Sequence, residues 1–269
     1  MNSPPGSDEL QAYLEAAQEA TRRAGQVLLQ WRNRFGVREK GRFDLVTEAD
    51  IASQTLIRNY LGGLFPDHAF IGEEDKGSQQ RPGAGAPPTW IVDPLDGTTN
   101  YVHDFPMYCV SIGLEVAGAM VVGVIYDPPR EELFWAAHGQ GAWLGERRLT
   151  TSGAESLERA LLATGFPPDL RGQETQLDCW RTFSLRAQSV RRTGSTALNL
   201  AYVAAGRFDG YWAFDNHVWD VAAGTVLIQE AGGKVTNIDG STYDPYTPDA
   251  LASNGPLHPT MLQCLSARA

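Results

Sequence analysis

The sequence predicts an α/β fold whose first half is α+β. Three observations carry this. The chain opens with an amphipathic helical pattern, with Leu10, Tyr13, Leu14, Ala17, Ala24, Val27, Leu28 and Trp31 on one face. Two apolar runs, Cys109 to Val116 and Met120 to Tyr126, flank Ala117-Gly118 as the arms of a hairpin. Beyond about residue 150, strands such as ALLATG, SVRR and DGYWAF alternate with helices, the signature of layered α/β architecture.

The remaining elements follow in order. Ser7 or Asp8 is expected to cap the first helix, and the mixed-charge GVREKGRFD to form a loop after it. TEAD (Thr47 to Asp50) has the threonine and acid of a capping-box-like start. The helix it opens runs to about Leu61, where Gly62, Gly63 and Pro66 end it. AFIGEE reads as a strand ending in acids. KGSQQRPGAGAPP, residues 76 to 88, is rich in glycine and proline and reads as a mobile surface loop. WIV is a short buried strand, and ELFWAA and GAWL add two more. One helix follows Gly194 and ends near Gly206; another starts near Asp220 and stops at Gly232-Gly233. KVTN, LASN and a last helix close the chain. Residues 1–150 form the α+β half and 151–269 the α/β half of one compact unit.

Composition narrows the function. The 269 residues are 42% hydrophobic and 20% charged, those of an ordinary soluble protein. A net charge of -10, with no lysine- or arginine-rich run, argues against a nucleic-acid partner. The start, MNSPPGSDEL, lacks the basic and apolar regions of a signal peptide, and the apolar stretch around Met120 to Tyr126 is too short to span a bilayer. Cys109, Cys179 and Cys264 are odd in number and widely spaced, as in a reduced, cytoplasmic protein.

The chemistry concentrates in WIVDPLDGTTNYVHDFP, residues 90 to 106. Pro94 biases Asp93 away from the helical region, so Asp93 prolongs the strand. Gly97 permits a close backbone approach, and Thr98 to Asn100 begin a helical turn whose N–H groups can face an anion. Asp93 or Asp96 alone would read as a turn or cap residue. Together, with Gly97 and Thr98 in register, they read as carboxylates for a cation beside donors for an oxyanion. Glu73 and Glu74 end another strand, where a solvated acidic loop is the plain alternative. Asp220 opens a helix, where capping is common; His217 beside it is given no role. An EF-hand fails on acid spacing, there is no P-loop, and the two residues between the acids exclude the Asp-x-Asp pattern of aspartyl-phosphate phosphatases.

These motifs resemble the inositol monophosphatase family of metal-dependent, lithium-sensitive phosphatases. Four blocks carry the resemblance: DLVTEAD, IGEED, WIVDPLDGTTNYVHDFP and WDVAAGTVLIQEAGG, with GSTALN (Gly194 to Asn199) a weaker fifth. The resemblance implies a layered α/β/α/β/α sandwich of the sugar-phosphatase type in a homodimer. It implies that Glu73, Asp93 and the Leu95 carbonyl bind one Mg²⁺, that Asp93, Asp96 and Asp220 bind a second, and that Glu73 contacts a third, weaker ion. Gly97 and Thr98 would hold phosphate, with Gly194, Ser195 and Thr196 bordering the alcohol. Asp50 would orient Thr98, and Glu73 and Thr98 would position the attacking water. Most of the metal ligands then lie in residues 1–150, with Asp220 and the substrate-side residues in 151–269. Two such ions suit in-line displacement on a phosphate monoester without a covalent intermediate.

The implied substrate is inositol 1-phosphate. Histidinol phosphate, fructose 1,6-bisphosphate and nucleotide 3′-phosphates are alternatives within the superfamily, and a regulatory binding protein that keeps the fold is the alternative outside catalysis. One departure stands out. The position seven before the helix aspartate is often glutamate in the family, an acceptor for a ring hydroxyl; here it is Ala213. The expectation is relaxed specificity unless Asp215 or Asn216 reaches in.

Overall fold

The computed structural model describes residues 5–32, 34–41, 44–75, 81–83, 85–167 and 169–266. In chain order its elements are α1 (Ser7–Trp31), β1 (Val37–Gly41), β2 (Asp44–Thr47), α2 (Glu48–Leu64), β3 (Ala69–Gly72), β4 (Thr89–Asp96), α3 (Thr98–Val102), β5 (Cys109–Val116), β6 (Ala119–Asp127), β7 (Glu132–Ala137), β8 (Gly141–Leu144), β9 (Arg147–Arg148), β10 (Leu161–Thr164), α4 (Glu174–Arg186), β11 (Ser189–Arg191), α5 (Thr196–Ala204), β12 (Gly210–Ala213), α6 (Val218–Glu230), β13 (Lys234–Thr236), β14 (Ala250–Ser253) and α7 (His258–Ser266).

These elements stack as an α/β/α/β/α sandwich. The apolar faces of α1 and α2 cover one side of a seven-stranded sheet, ordered β3-β4-β5-β6-β7-β8-β9. Helices α5 and α6 fill the layer between this sheet and a five-stranded one, ordered β11-β10-β12-β14-β13. Helices α4 and α7 close the far side. The first sheet is antiparallel apart from the β3–β4 pair. In the second, β10 lies parallel to both β11 and β12, as the strand–helix alternation requires.

Helix α6 rides unusually close to the first sheet. A Cβ on Gly123 would lie 2.3 Å from the Ala223 carbonyl oxygen, so glycine in β6 is what admits the helix backbone. This approach sets the height of the N-terminal end of α6, where Asp220 sits. The expected hairpin is a two-residue loop with Ala117 at φ 53° and Gly118 at φ 84°.

Several expectations need correction. Gly6, in extended conformation, caps α1, and neither Ser7 nor Asp8 does; Ser7 is already helical, and Asp8 and Glu9 lie in the first turn, where they favour the helix dipole. Val27 and Trp31 lie at the half-buried edge of the expected α1 face, Trp31 packed against the core. GVREKGRFD contains strand β1, paired with β2; its charged residues hid it because backbone pairing, not burial, holds it. Gly62 and Gly63 lie inside α2, which ends at Leu64. Strand β3 stops at Gly72, and Glu73 and Glu74 occupy the following turn. Helix α4 was implied only by the alternation of ALLATG and SVRR and given no bounds: it buries only Gln176, Cys179 and Phe183, a narrow stripe with a polar member. Of the loop expected at 76–88, residues 76–80 and 84 lie outside the described residues, and the rest contains neither helix nor strand before Thr89. All three cysteines are buried and none forms a disulfide, and no helix among the described residues is long and apolar enough to cross a membrane.

Candidate active site

Strand β4 is buried along its whole length, so whatever its carboxylates do, they do it away from bulk water. Its register against β5 slips between Asp93, opposite Ser111, and Asp96, opposite Cys109. The slip falls at Pro94, which has no N–H to give the ladder. It sets Asp93 and Asp96 on one irregular strand end. The Asp93 side chain accepts the Leu95 N–H at 3.0 Å, fixing the turn.

Asp93 is 2% exposed. Burial, then the charges of Glu73, Asp96 and Asp220, push its carboxyl well above the usual range, and Glu73 stands within hydrogen-bonding reach. Asp220 is pushed up by burial and by Asp96; its Oδ2 accepts the His217 N–H at 2.7 Å at the start of α6. Asp96 is pushed up to about 6 by burial, against the donors that favour its charged form. Those donors come from the second half of the chain: Ser195 Oγ, the Thr196 N–H at 3.1 Å and the Ala197 N–H at 2.7 Å.

Asp50 is fully buried as the third residue of α2. It accepts the Thr47 N–H at 2.9 Å and the Thr47 hydroxyl, completing the expected capping box. Its other oxygen lies 3.3 Å from Thr98 Oγ1, which also lies 3.2 Å from the Leu95 carbonyl oxygen. Burial pushes the Asp50 carboxyl up to about 7. Gly97 caps α3 at φ 97°, and a Cβ there would meet the Met107 carbonyl oxygen at 2.8 Å and that of Gly194 at 3.3 Å. Gly97 and Gly194 are therefore adjacent, across the two halves.

Each residue expected at the site is thus gathered around the end of β4. Sequence reasoning missed three others. Lys40, from the unexpected strand β1, places Nζ 3.0 Å from Glu73 and 2.6 Å from Glu74. Burial lowers its pKa, but the two glutamates outweigh that and hold it charged. Asn100 donates to the Met107 carbonyl at 2.7 Å and the Thr193 carbonyl at 2.9 Å, pinning the halves together. Gln176, from α4, donates to Asp215 at 2.7 Å, and Asp215 lines a small cavity with Thr196 and Ala213. The signal for Lys40 was a second β-prone run only a few residues away; for the rest there was none.

The donor set fits a divalent cation. Four carboxylates crowd a mostly buried space, and Asp93, Asp96 and Asp220 are driven toward their neutral forms by burial first and by their neighbours' charge second, which is the electrostatic state a cation relieves. Among the described residues no three such groups close into a cage as they stand. Asp96 is turned onto the start of α5 and Glu73 onto Lys40, so holding an ion takes side-chain rotation, not a new fold.

A layered sandwich with buried carboxylates at a strand–turn–helix junction defines a class of metal-dependent phosphatases. The chain belongs to the inositol monophosphatase family, which it matches over residues 9–268. It is 42% identical to an inositol-1-monophosphatase of Synechocystis over 262 residues, 96% of this chain and 90% of that protein. It is equally 42% identical to the Nus factor SuhB of Pseudomonas aeruginosa, covering 86% of this chain and 88% of the relative. The inositol monophosphatase structure from Anabaena superposes with a TM-score of 0.86 at 38% identity over 97% of each chain. An IMPase/NADP phosphatase solved with Mg²⁺ and phosphate shares the fold at 26% identity, with a TM-score of 0.84 over 96% of each chain.

Proposed function

We propose that the protein hydrolyses a small phosphate monoester, inositol 1-phosphate first among them, with Mg²⁺ held by Glu73, Asp93, the Leu95 carbonyl, Asp96 and Asp220. The observation that carries this reading is the convergence of Asp93 with Glu73, Asp96 and Asp220 in a buried space one turn from Gly97 and Thr98. When bound, two or three such ions supply charge neutralisation for the phosphate and an acidified water for attack.

The chain's own residues do the rest. The backbone N–H groups of Gly97 and Thr98 hold the phosphate oxygens. Thr98 Oγ1, between Asp50 and the Leu95 carbonyl, keeps a fixed hydroxyl orientation and with Glu73 positions the attacking water. Asp50 is a positioning residue, locked in turn by Thr47. Gly194, Ser195 and Thr196 border the alcohol, and Ser195 and Thr196 tie that border to Asp96. No side chain is needed as a covalent nucleophile. The halves 1–150 and 151–269 act as one catalytic unit, and the family resemblance supports a cytoplasmic homodimer.

A second reading has one finding in its favour, the equal identity to a relative called a Nus factor. In that reading the fold serves a regulatory role. Phosphate release from inositol 1-phosphate with and without Mg²⁺ separates the two, and a screen over histidinol phosphate, fructose 1,6-bisphosphate and nucleotide 3′-phosphates ranks the substrates. A protein that binds Mg²⁺ yet releases no phosphate from any of them is not the hydrolase described here.

A further inference from the structure

The alanine at 213 removes an acceptor, but the structure distinguishes the two residues able to replace it. Asn216 is spoken for. Its Oδ1 accepts the Tyr211 hydroxyl at 3.0 Å, and its Nδ2 donates to the Pro248 carbonyl at 3.1 Å. Tyr211 in turn lies 3.1 Å from Thr196 Oγ1, so Asn216 braces the alcohol border from behind. Asp215 is in a different position. It is exposed, and it lines a cavity of about 40 Å³ together with Ala213, Thr196, Phe166 and Asn216. Its Oδ2 accepts the Gln176 amide at 2.7 Å, while Oδ1 has no hydrogen-bond partner among the described residues.

We propose that Asp215, held by Gln176, is the specificity-determining residue of this site, accepting a hydrogen bond from a substrate hydroxyl in place of the carboxylate missing at 213. The inference rests on the phosphatase reading above. Two features of Gln176 support it. It is 3% exposed, and its Oε1 has no partner, so it is kept buried in α4 for what its Nε2 does. That Nε2 donates to Gln173 Oε1 at 3.2 Å as well as to Asp215, which fixes the amide plane. A solvent-exposed aspartate without such a brace would lose its rotamer freedom on binding; Gln176 removes that cost beforehand. Helix α4 also supplies Trp180, stacked at 5.1 Å on Phe166 of the cavity lining, so the same helix backs the aromatic wall and holds the polar contact. The ligand chemistry follows: a polyol monophosphate with a hydroxyl a few atoms from the ester oxygen. The expectation of relaxed specificity is replaced by one of retained specificity through a different residue.

The test compares kcat/KM for inositol 1-phosphate and glycerol 2-phosphate in the wild type, Asp215→Ala, Asp215→Asn and Gln176→Leu, with Mg²⁺. Both substrates are measured on one preparation, so a loss of folded enzyme cannot move their ratio. The ratio should favour inositol 1-phosphate in the wild type and fall about ten- to a hundredfold in Asp215→Ala, the worth of a hydrogen bond to a charged acceptor. Asp215→Asn keeps one acceptor oxygen and should retain part of the preference, and Gln176→Leu should fall between. An unchanged ratio in Asp215→Ala, with both substrates turned over, overturns this assignment and leaves the phosphatase reading intact. A wild type inert toward both substrates overturns both.

Discussion

Asp96 and Ser195 stand 99 residues apart in the chain, yet the Ser195 hydroxyl donates to Asp96 Oδ2 at 2.5 Å. The same Oγ accepts the Leu198 N–H at 3.3 Å, which makes it the N-cap of α5. One hydroxyl therefore starts a helix in the second half and orients a carboxylate in the first. The Thr196 and Ala197 N–H groups, the open donors of the same helix end, complete the grip.

Ser195→Ala should cost about 2–5 kcal/mol of stability, the sum of a lost cap and a lost hydrogen bond to a buried charge. It should also strengthen Mg²⁺ binding, because Asp96 no longer gives up the bond to Ser195 when it turns toward the ion. Urea unfolding gives the first effect, and the Mg²⁺ concentration needed to raise the melting temperature gives the second. A variant with wild-type stability and wild-type Mg²⁺ response would show that the Asp96–Ser195 bond holds nothing.

His258 supports a prediction about acid. Its ring is fully buried, with Nδ1 2.8 Å from Ser253 Oγ and Nε2 2.9 Å from Thr236 Oγ1. Burial lowers its pKa to about 4. An unfolded histidine titrates near 6.5, so between about 6.5 and 4 the unfolded chain takes up a proton that the native one refuses. The stability owed to neutral His258 is full above 6.5 and drains away as pH falls toward 4, by up to about 3 kcal/mol. His258→Asn lacks this slope. The stability difference between wild type and variant should shrink steadily from pH 7 to pH 4; a constant difference would rule the mechanism out.

What was legible in the sequence was local. Asp93, Asp96, Gly97 and Thr98 occupy one strand–turn–helix, where proline and glycine announce the backbone, so their placement could be argued from neighbours alone. The capping box of Thr47 and Asp50 was legible for the same reason. Asp220 and Ser195 came from family resemblance, since nothing near them points to β4. The contacts that stayed hidden join distant segments: Lys40 to Glu73 across 33 residues, Gln176 to Asp215 across 39. Helix α4 was hidden by its composition, and with it Gln176, the residue that holds Asp215.

The hairpin between β5 and β6 predicts a stabilising change. Ala117 sits at φ 53°, a left-handed conformation that costs an alanine about 1 kcal/mol or more and that asparagine tolerates better. Ala117 is exposed, so a larger polar side chain meets nothing. Ala117→Asn should raise stability by about 0.5–1 kcal/mol, roughly 1–3 °C in melting temperature for a protein of this size. A drop in melting temperature would mean the turn is held by something other than its own dihedrals.

The sharpest prediction concerns Asp93→Asn, because it should act in opposite directions with and without cation. Without Mg²⁺, the Asp93 carboxyl is raised well above its unfolded value by burial and by Glu73, Asp96 and Asp220. A carboxyl raised on folding stabilises the native state when protonated, and that contribution is lost as pH rises from the unfolded pKa near 4 through the higher native one. At pH 8 in chelator the wild type therefore carries a buried repulsion that an amide lacks, and Asp93→Asn should melt at the same temperature or higher. With saturating Mg²⁺ the order should reverse. Ion binding to the native wild type contributes about 2.7 kcal/mol at a hundred times the dissociation constant, whereas the amide removes the charge at the centre of the carboxylate cluster and with it most of that gain. Turnover should vanish with it. Paired melts of wild type and variant, in chelator and in Mg²⁺, read all of this in one experiment. A variant that melts lower than wild type in chelator, or one that keeps both the Mg²⁺ shift and phosphate release, would show that Asp93 is a structural aspartate and not the centre of the site.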